Sequence, residues 1–148
     1  MLVSDMMSRK LVTVELEDKL SLVKDIFENM KIHHLVVVEE KKVFGVVSDR
    51  DLYKALSPNI GTMTETLKDV ATLNKQVYHI VTRRPIILPP SATIKEAIDI
   101  FNANNFSCIP IADHEMKPVG IITIRDIIKT LANGKLIFNF ESEKNTSV

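Results

Sequence analysis

Gly45-Val46-Val47-Ser48-Asp49-Arg50-Asp51 and Gly120-Ile121-Ile122-Thr123-Ile124-Arg125-Asp126 are one motif written twice. In each, a glycine opens an apolar run, a hydroxyl residue closes it, and an aspartate stands three positions further on. Upstream of the motif, Arg9 matches Arg83, Val12 matches Ile86, Leu20 matches Ile94, Ile26 matches Ile100, Phe27 matches Phe101 and Leu35 matches Ile109, all 74 positions apart. One extra residue near Met116 lengthens the spacing to 75, which brings Gly45 onto Gly120 and Asp51 onto Asp126. A self-similarity of this length marks a repeated supersecondary unit and governs how every other segment is read.

Within each copy the hydrophobic period changes in the same order. Residues 11–14 and 86–88 read as short strands, the second ended by Pro89 and Pro90. Leu20, Val23, Ile26, Phe27 and Met30 recur at helical spacing, as do Ile94, Ala97, Ile98 and Phe101, and Thr93 with Glu96 forms a capping box. Residues 35–38 and 109–112 are nearly continuous apolar runs, suited to strands covered on both faces; 43–47 and 119–122 repeat the pattern after a turn. A helix over 49–56 or 124–131 closes each copy. The fold class is therefore α/β: two pseudo-symmetric strand-helix-strand-strand-helix repeats, their sheets flanked by helices. The chain divides into repeat 1 (1–58), a linker with a short helix around 65–73 (59–76), repeat 2 (77–133) and a C-terminal tail (134–148). Gly134 is expected to cap the last helix, and 136–140 to add a strand or pack on a partner. A unit of roughly 55 residues is marginal alone, so the two are expected to share one core.

Composition narrows the function. With 148 residues, 45% of them hydrophobic, the chain buries enough surface to fold without disulfides or metal. Nineteen basic residues balance nineteen acidic ones, which removes the long-range field that binding to nucleic acid or to an anionic membrane relies on. The single cysteine, Cys108, forms no internal disulfide, and four scattered histidines make no zinc cluster, so no obligatory cofactor is expected. No signal-peptide stretch or membrane-length apolar run is present in the sequence, and a reducing, cytoplasmic setting is expected.

The motif carries chemistry of its own. Ser48 and Thr123 stand at strand-to-helix junctions, where outward N–H groups attract a phosphate. Asp51 and Asp126, in the first helical turn, can accept hydrogen bonds from the vicinal hydroxyls of a ribose. Phosphate and ribose together describe a nucleotide. The same spacing is also an ordinary capping box, and each glycine either shapes a turn or admits a close backbone. Arg50 and Arg125 either clamp phosphates or lie solvated on the first helical turn. No nucleophile elbow, Walker loop, HExxH or base-paired carboxylate couple is found, and Cys108 reads as a small core residue, so the chain is expected not to be an enzyme.

With those residues in view, the chain resembles a tandem pair of CBS (cystathionine beta-synthase) domains, a Bateman module, over residues 1–133. The segments 32–38 and 48–58 are similar to free-standing bacterial CBS pairs of the acetoin-utilisation type. The resemblance implies a regulatory module that binds an adenosine-containing ligand in the cleft between repeats and signals to a partner protein. It implies two sites. In one, Ser48 and Asp51 face Ile86, Ile87, Pro110 and Ile111; in the other, Thr123 and Asp126 face Val12, Thr13, Val14, Val36 and Val37. His33 and His34 occupy places where relatives carry phosphate-touching basic residues, His34 toward the ligand of Asp126 and His33 toward that of Asp51. Their counterparts, Ser107 and Cys108, break that pattern, and Asp49 beside Arg50 makes the first site less tolerant of phosphate charge than Ile124 does the second, unless Mg²⁺ or the histidines offset it. AMP, ADP or ATP is the expected ligand class. A homodimer is implied as well, with Met6, Met7, Leu67 and Val70 as candidate apolar surface. The alternative is a ligand-free structural or dimerisation module whose motifs act only as helix caps.

Overall fold

The computed structural model describes residues 1–83 and 86–136. Its elements are β1 (Thr13–Glu15), α1 (Leu20–Asn29), β2 (His34–Glu39), β3 (Lys42–Ser48), α2 (Asp49–Ala55), α3 (Leu67–Ala71), β4 (Thr82–Arg83), α4 (Ile94–Ala103), β5 (Cys108–Ala112), β6 (Pro118–Thr123) and α5 (Ile124–Ala132). The mixed α/β class stands as read, and so does the repeated order apart from the first strand of the second copy. One sheet runs β1-β2-β3-β4, with β1 parallel to β2 and the remaining pairs antiparallel; β5 and β6 form an antiparallel pair.

The second sheet repeats the first in reduced form. Leu88 bridges Ile111 in parallel, as Val14 pairs with Val37, and Ser8 bridges Ile121 antiparallel, as Thr82 pairs with Val46. Both sheets carry a bulge at the equivalent place, between Val37 and Val38 and between Ile111 and Ala112. The strand expected over 86–88 is reduced to the single Leu88 bridge, because Pro89 and Pro90 follow at once and proline lacks the N–H a ladder needs. Only half of the expected Thr93 capping box forms: Thr93 Oγ1 accepts from Glu96 N at 3.2 Å, without the return bond. Gly134, at φ +70°, ends α5 as expected, with Gly134 N donating to Leu131 O and Lys135 N to Thr130 O. The expected strand over 136–140 falls, apart from Leu136, outside the described residues, as does the end of the tail.

In place of one shared core there are two, linked by an exchange. Val14, Leu20, Val23, Leu35, Val37, Val47, Leu52 and Leu56 pack around Val77, with Ile80 and Val81 against them. Ala92, Ile94, Ala97, Ile109, Ile111, Ile122 and Ile127 pack around Val3 and Met7, with Met6 beside them. Each core thus takes in the segment that precedes the other repeat. The anchoring is the same on both sides: Val3 N donates to Ala92 O and Val77 N to Asp18 O, each at 2.8 Å. Met7 is therefore interior and Met6 partly covered, which removes them from the candidate dimer surface; Leu67 remains 90% exposed.

The exchange also decides the glycine reading in favour of close approach. A Cβ on Gly45 would overlap the carbonyl oxygen of Thr82 and lie 2.6 Å from Val81 Cγ2; one on Gly120 would overlap the Met7 side chain and lie 3.1 Å from Ser8 O. Each glycine lets an exchanged segment lie against a central strand.

Candidate functional site

Both motifs fold as strand-to-helix junctions. Ser48 and Thr123 are extended N-caps, and each capping box is complete. In the first, Asp51 N donates to Ser48 Oγ at 3.1 Å and Ser48 N to Asp51 Oδ2 at 2.9 Å. In the second, Asp126 N donates to Thr123 Oγ1 at 3.1 Å, while Thr123 N and Thr123 Oγ1 donate to Asp126 Oδ2 at 2.8 and 2.9 Å. One carboxylate oxygen of each aspartate is spent in this way. The other, Oδ1, has no hydrogen-bond partner among the described residues, so capping and ligand acceptance are compatible in one side chain.

A cavity of about 640 Å³ opens at the second motif, a size suited to a nucleotide-scale molecule. Thr123, Arg125, Asp126 and Ser107 from the second half line it together with Val12, Val36, His33 and His34 from the first. Of these, Val36 is fully buried. Three of the expected wall residues are not there. Val14 and Val37 pack into the first core, Val37 because alternate strand residues face opposite ways and its neighbour Val36 lines the cavity; Thr13 is exposed on β1 and absent from the lining.

At the first motif Pro110 is buried on β5, while Ile87 is half-buried and Ile86 exposed. Ile111 packs into the second core rather than the cleft, as its repeat equivalent Val37 packs into the first. Residues 84 and 85, which align in sequence with the cavity-lining Lys10 and Leu11, lie outside the described residues.

The two histidines part company. Both line the Asp126 cavity, but the His33 side chain is 76% exposed and its Nδ1 lies 2.8 Å from Asp49 Oδ2, on the first motif. His34 reaches across the repeats, its Nε2 2.8 Å from Ser107 Oγ. Burial lowers the His34 pKa, partly opposed by the carboxylates of Asp49, Asp51 and Asp126 and reinforced by His33, so this imidazole is neutral at pH 7. Burial pushes the Cys108 thiol up to about 12, with the Asp51 carboxylate adding to it, which leaves no thiolate for nucleophilic chemistry. Among the described residues no cluster of three or more His, Cys, Asp or Glu could hold a metal, and no helix is long and apolar enough to cross a membrane.

Sequence reading missed most of the cavity's positive charge. Lys10, Lys31 and Lys129 line it alongside Arg125. They come from the segment before β1, the α1–β2 loop and α5; of the three, only Lys129 follows the motif closely enough for helical spacing to have pointed to it.

A family model for the CBS domain matches residues 3–58 and 77–133. The Methanocaldococcus jannaschii protein MJ1426 is 27% identical, over 88% of this chain and 91% of its own length. The inosine-5'-monophosphate dehydrogenase of Aquifex aeolicus is 32% identical over 80% of this chain, which spans only 22% of that enzyme. Among solved structures, the CBS domain pair of protein MJ0100 has a TM-score of 0.74 at 24% identity, covering 91% of this chain and 98% of that one. An acetoin utilization protein (AcuB) from Vibrio cholerae has a TM-score of 0.73 at 23% identity, covering 100% and 98%. CBSX2 of Arabidopsis thaliana has a TM-score of 0.73 at 22% identity, covering 91% and 98%. The structural likenesses show the fold, and with the family match over both halves, the chain belongs to the CBS domain family as a tandem pair.

Proposed function

We propose that the cleft at Asp126 binds an adenosine-containing ligand, of the class of AMP, ADP or ATP with Mg²⁺ accompanying the phosphates, and that occupancy is passed to a partner protein. The observation that carries this is the free Oδ1 of Asp126 at a cavity that Val12 and Val36 of the other repeat also line. An aspartate poised for a ribose faces an apolar surface suited to a base. Supporting it, the MJ0100 pair was solved with 5'-methylthioadenosine and S-adenosyl-L-methionine, CBSX2 with AMP, and the cytosolic domain of the Mg²⁺ channel MgtE with ATP. Ser48, Arg50 and Asp51 form the other site of this reading, at the first motif, against Ile86, Ile87 and Pro110. In this reading the module acts in the cytoplasm by binding rather than catalysis, and ligand contact with both repeats favours one arrangement of the halves over another.

The completeness of both capping boxes favours a second reading, in which the motifs are only caps. Asp126→Asn separates the two. Asparagine keeps one oxygen for the cap but replaces the other with a donor, so thermal stability is retained while adenosine affinity, read by calorimetry, falls by ~1.5–3 kcal/mol, roughly 10- to 100-fold. Asp126→Ala loses the cap as well, at about 1 kcal/mol of stability. Unchanged adenosine affinity in both variants would leave the caps as the whole role of the motif.

In this reading the protein is a homodimer, with the exposed Leu67, the neighbouring Val70 and the fully exposed Met63 as the apolar candidates on and before α3. Sedimentation at micromolar concentration is expected to give twice the 16.7 kDa chain mass; a stable monomer would refute the assembly and leave the site untouched.

A further inference from the structure

Four cations line the Asp126 cavity from three separate segments, and none of them has an ion-pair partner among the described residues: Lys10, Lys31, Arg125 and Lys129. Lys24, Lys95 and Lys117, by contrast, are each paired with a carboxylate. Against the four stands one lining carboxylate, Asp126. The placement works against the unliganded protein. Arg125 lies in the first turn of α5, at the positive end of the helix dipole, and Lys129 sits one turn on, so the two repel as an i,i+4 pair. A polyanion seated between α5 and the α1–β2 loop relieves both effects at once.

The repeat supplies the contrast. The first motif has Asn105 in the place of Lys31 and Asp49 in the place of Ile124, so it carries two carboxylates, Asp49 and Asp51, where the second carries one. Resting on the adenosine reading above, we infer that the Asp126 cleft selects a nucleotide bearing a chain of two or three phosphates over AMP and over uncharged adenosine compounds. Asp126 and the apolar wall hold the nucleoside; Lys31, Arg125 and Lys129 meet the phosphates beyond the first, with charge-assisted bonds stronger than neutral ones.

Calorimetric titration of the full chain with ATP, ADP, AMP, adenosine and inorganic tripolyphosphate, without divalent cation, tests this. ATP is expected to bind at least about tenfold more tightly than AMP, with ADP between them and added salt weakening ATP most. Lys31→Asn, which installs the residue of the other half, and Lys129→Gln are both at exposed positions; each should narrow the ATP-to-AMP ratio severalfold and leave adenosine affinity unchanged. ATP binding no tighter than AMP, or a ratio unmoved by both variants, overturns the selection while leaving the adenosine reading intact. Tripolyphosphate bound as tightly as ATP, with no adenosine binding, overturns the nucleotide reading and the inference with it.

Discussion

At the residue scale, His34 carries a consequence that spacing alone could not supply. The sequence places it before an apolar strand, and the ordinary imidazole value near 6.5 suggests a proton gained just below neutrality. The fold buries the ring against Ser107 of the other repeat, and desolvation outweighs the three carboxylates around it, so its folded pKa is lowered. The unfolded chain therefore holds the proton more readily. The His34 contribution to stability is fully present above about pH 6.5 and is lost as pH falls through the lower folded value. A bound phosphate favours the protonated ring and opposes that loss. The melting temperature should fall as pH is lowered from 7.5 toward 5, less steeply with AMP present, and His34→Gln should flatten the nucleotide-dependent difference. Parallel pH profiles with and without AMP in the wild type would remove His34 from the ligand's field.

At the scale of the element, the motif was legible because its chemistry is local: hydroxyl, aspartate and helix start lie within four residues. The glycines were half legible. Nothing within ten residues of Gly45 or Gly120 says that a strand from elsewhere lies against it, and neither adopts the positive φ that glycine is known for. Their role comes from contact, and the contacts differ in hardness. A methyl on Gly45 meets the backbone of β4, which cannot move without breaking its pairing with β3, while a methyl on Gly120 meets first the flexible end of Met7. Gly45→Ala should destabilise by about 2–3 kcal/mol and Gly120→Ala by about 1 kcal/mol, within the range of overpacking. Urea denaturation of the two variants checks the order; equal small losses would mean that the exchanged segments adjust freely. The lysines of the cleft were illegible for a related reason, since Lys10 and Lys31 approach Asp126 only through packing.

For the whole molecule, the repeat was readable from matched residues at a fixed spacing, but the exchange was not. Periodicity reports which face of a strand or helix is apolar and is silent about which neighbour covers it. Val3 and Val77, 74 positions apart, are both fully buried, each inside the core of the repeat it does not precede. Neither half closes its core alone, so the two should unfold together, although their hydrophobic clusters are separate. Val3→Ala and Val77→Ala should each lower stability by ~1–3 kcal/mol, as expected for truncation in a packed core. More tellingly, each should shift the entire unfolding curve as one transition, with calorimetric and van't Hoff enthalpies remaining equal. A variant in which one half melted early and the other kept its original midpoint would show the exchanged segments to be docked but not coupling. The functional reading depends on that coupling. In the proposed reading, a ligand that touches Asp126 of one half and Val12 and Val36 of the other reports its presence by biasing how the halves sit. The bias reaches a partner only if the two cores, tied by Val3 and Val77, move as bodies rather than loosening one at a time.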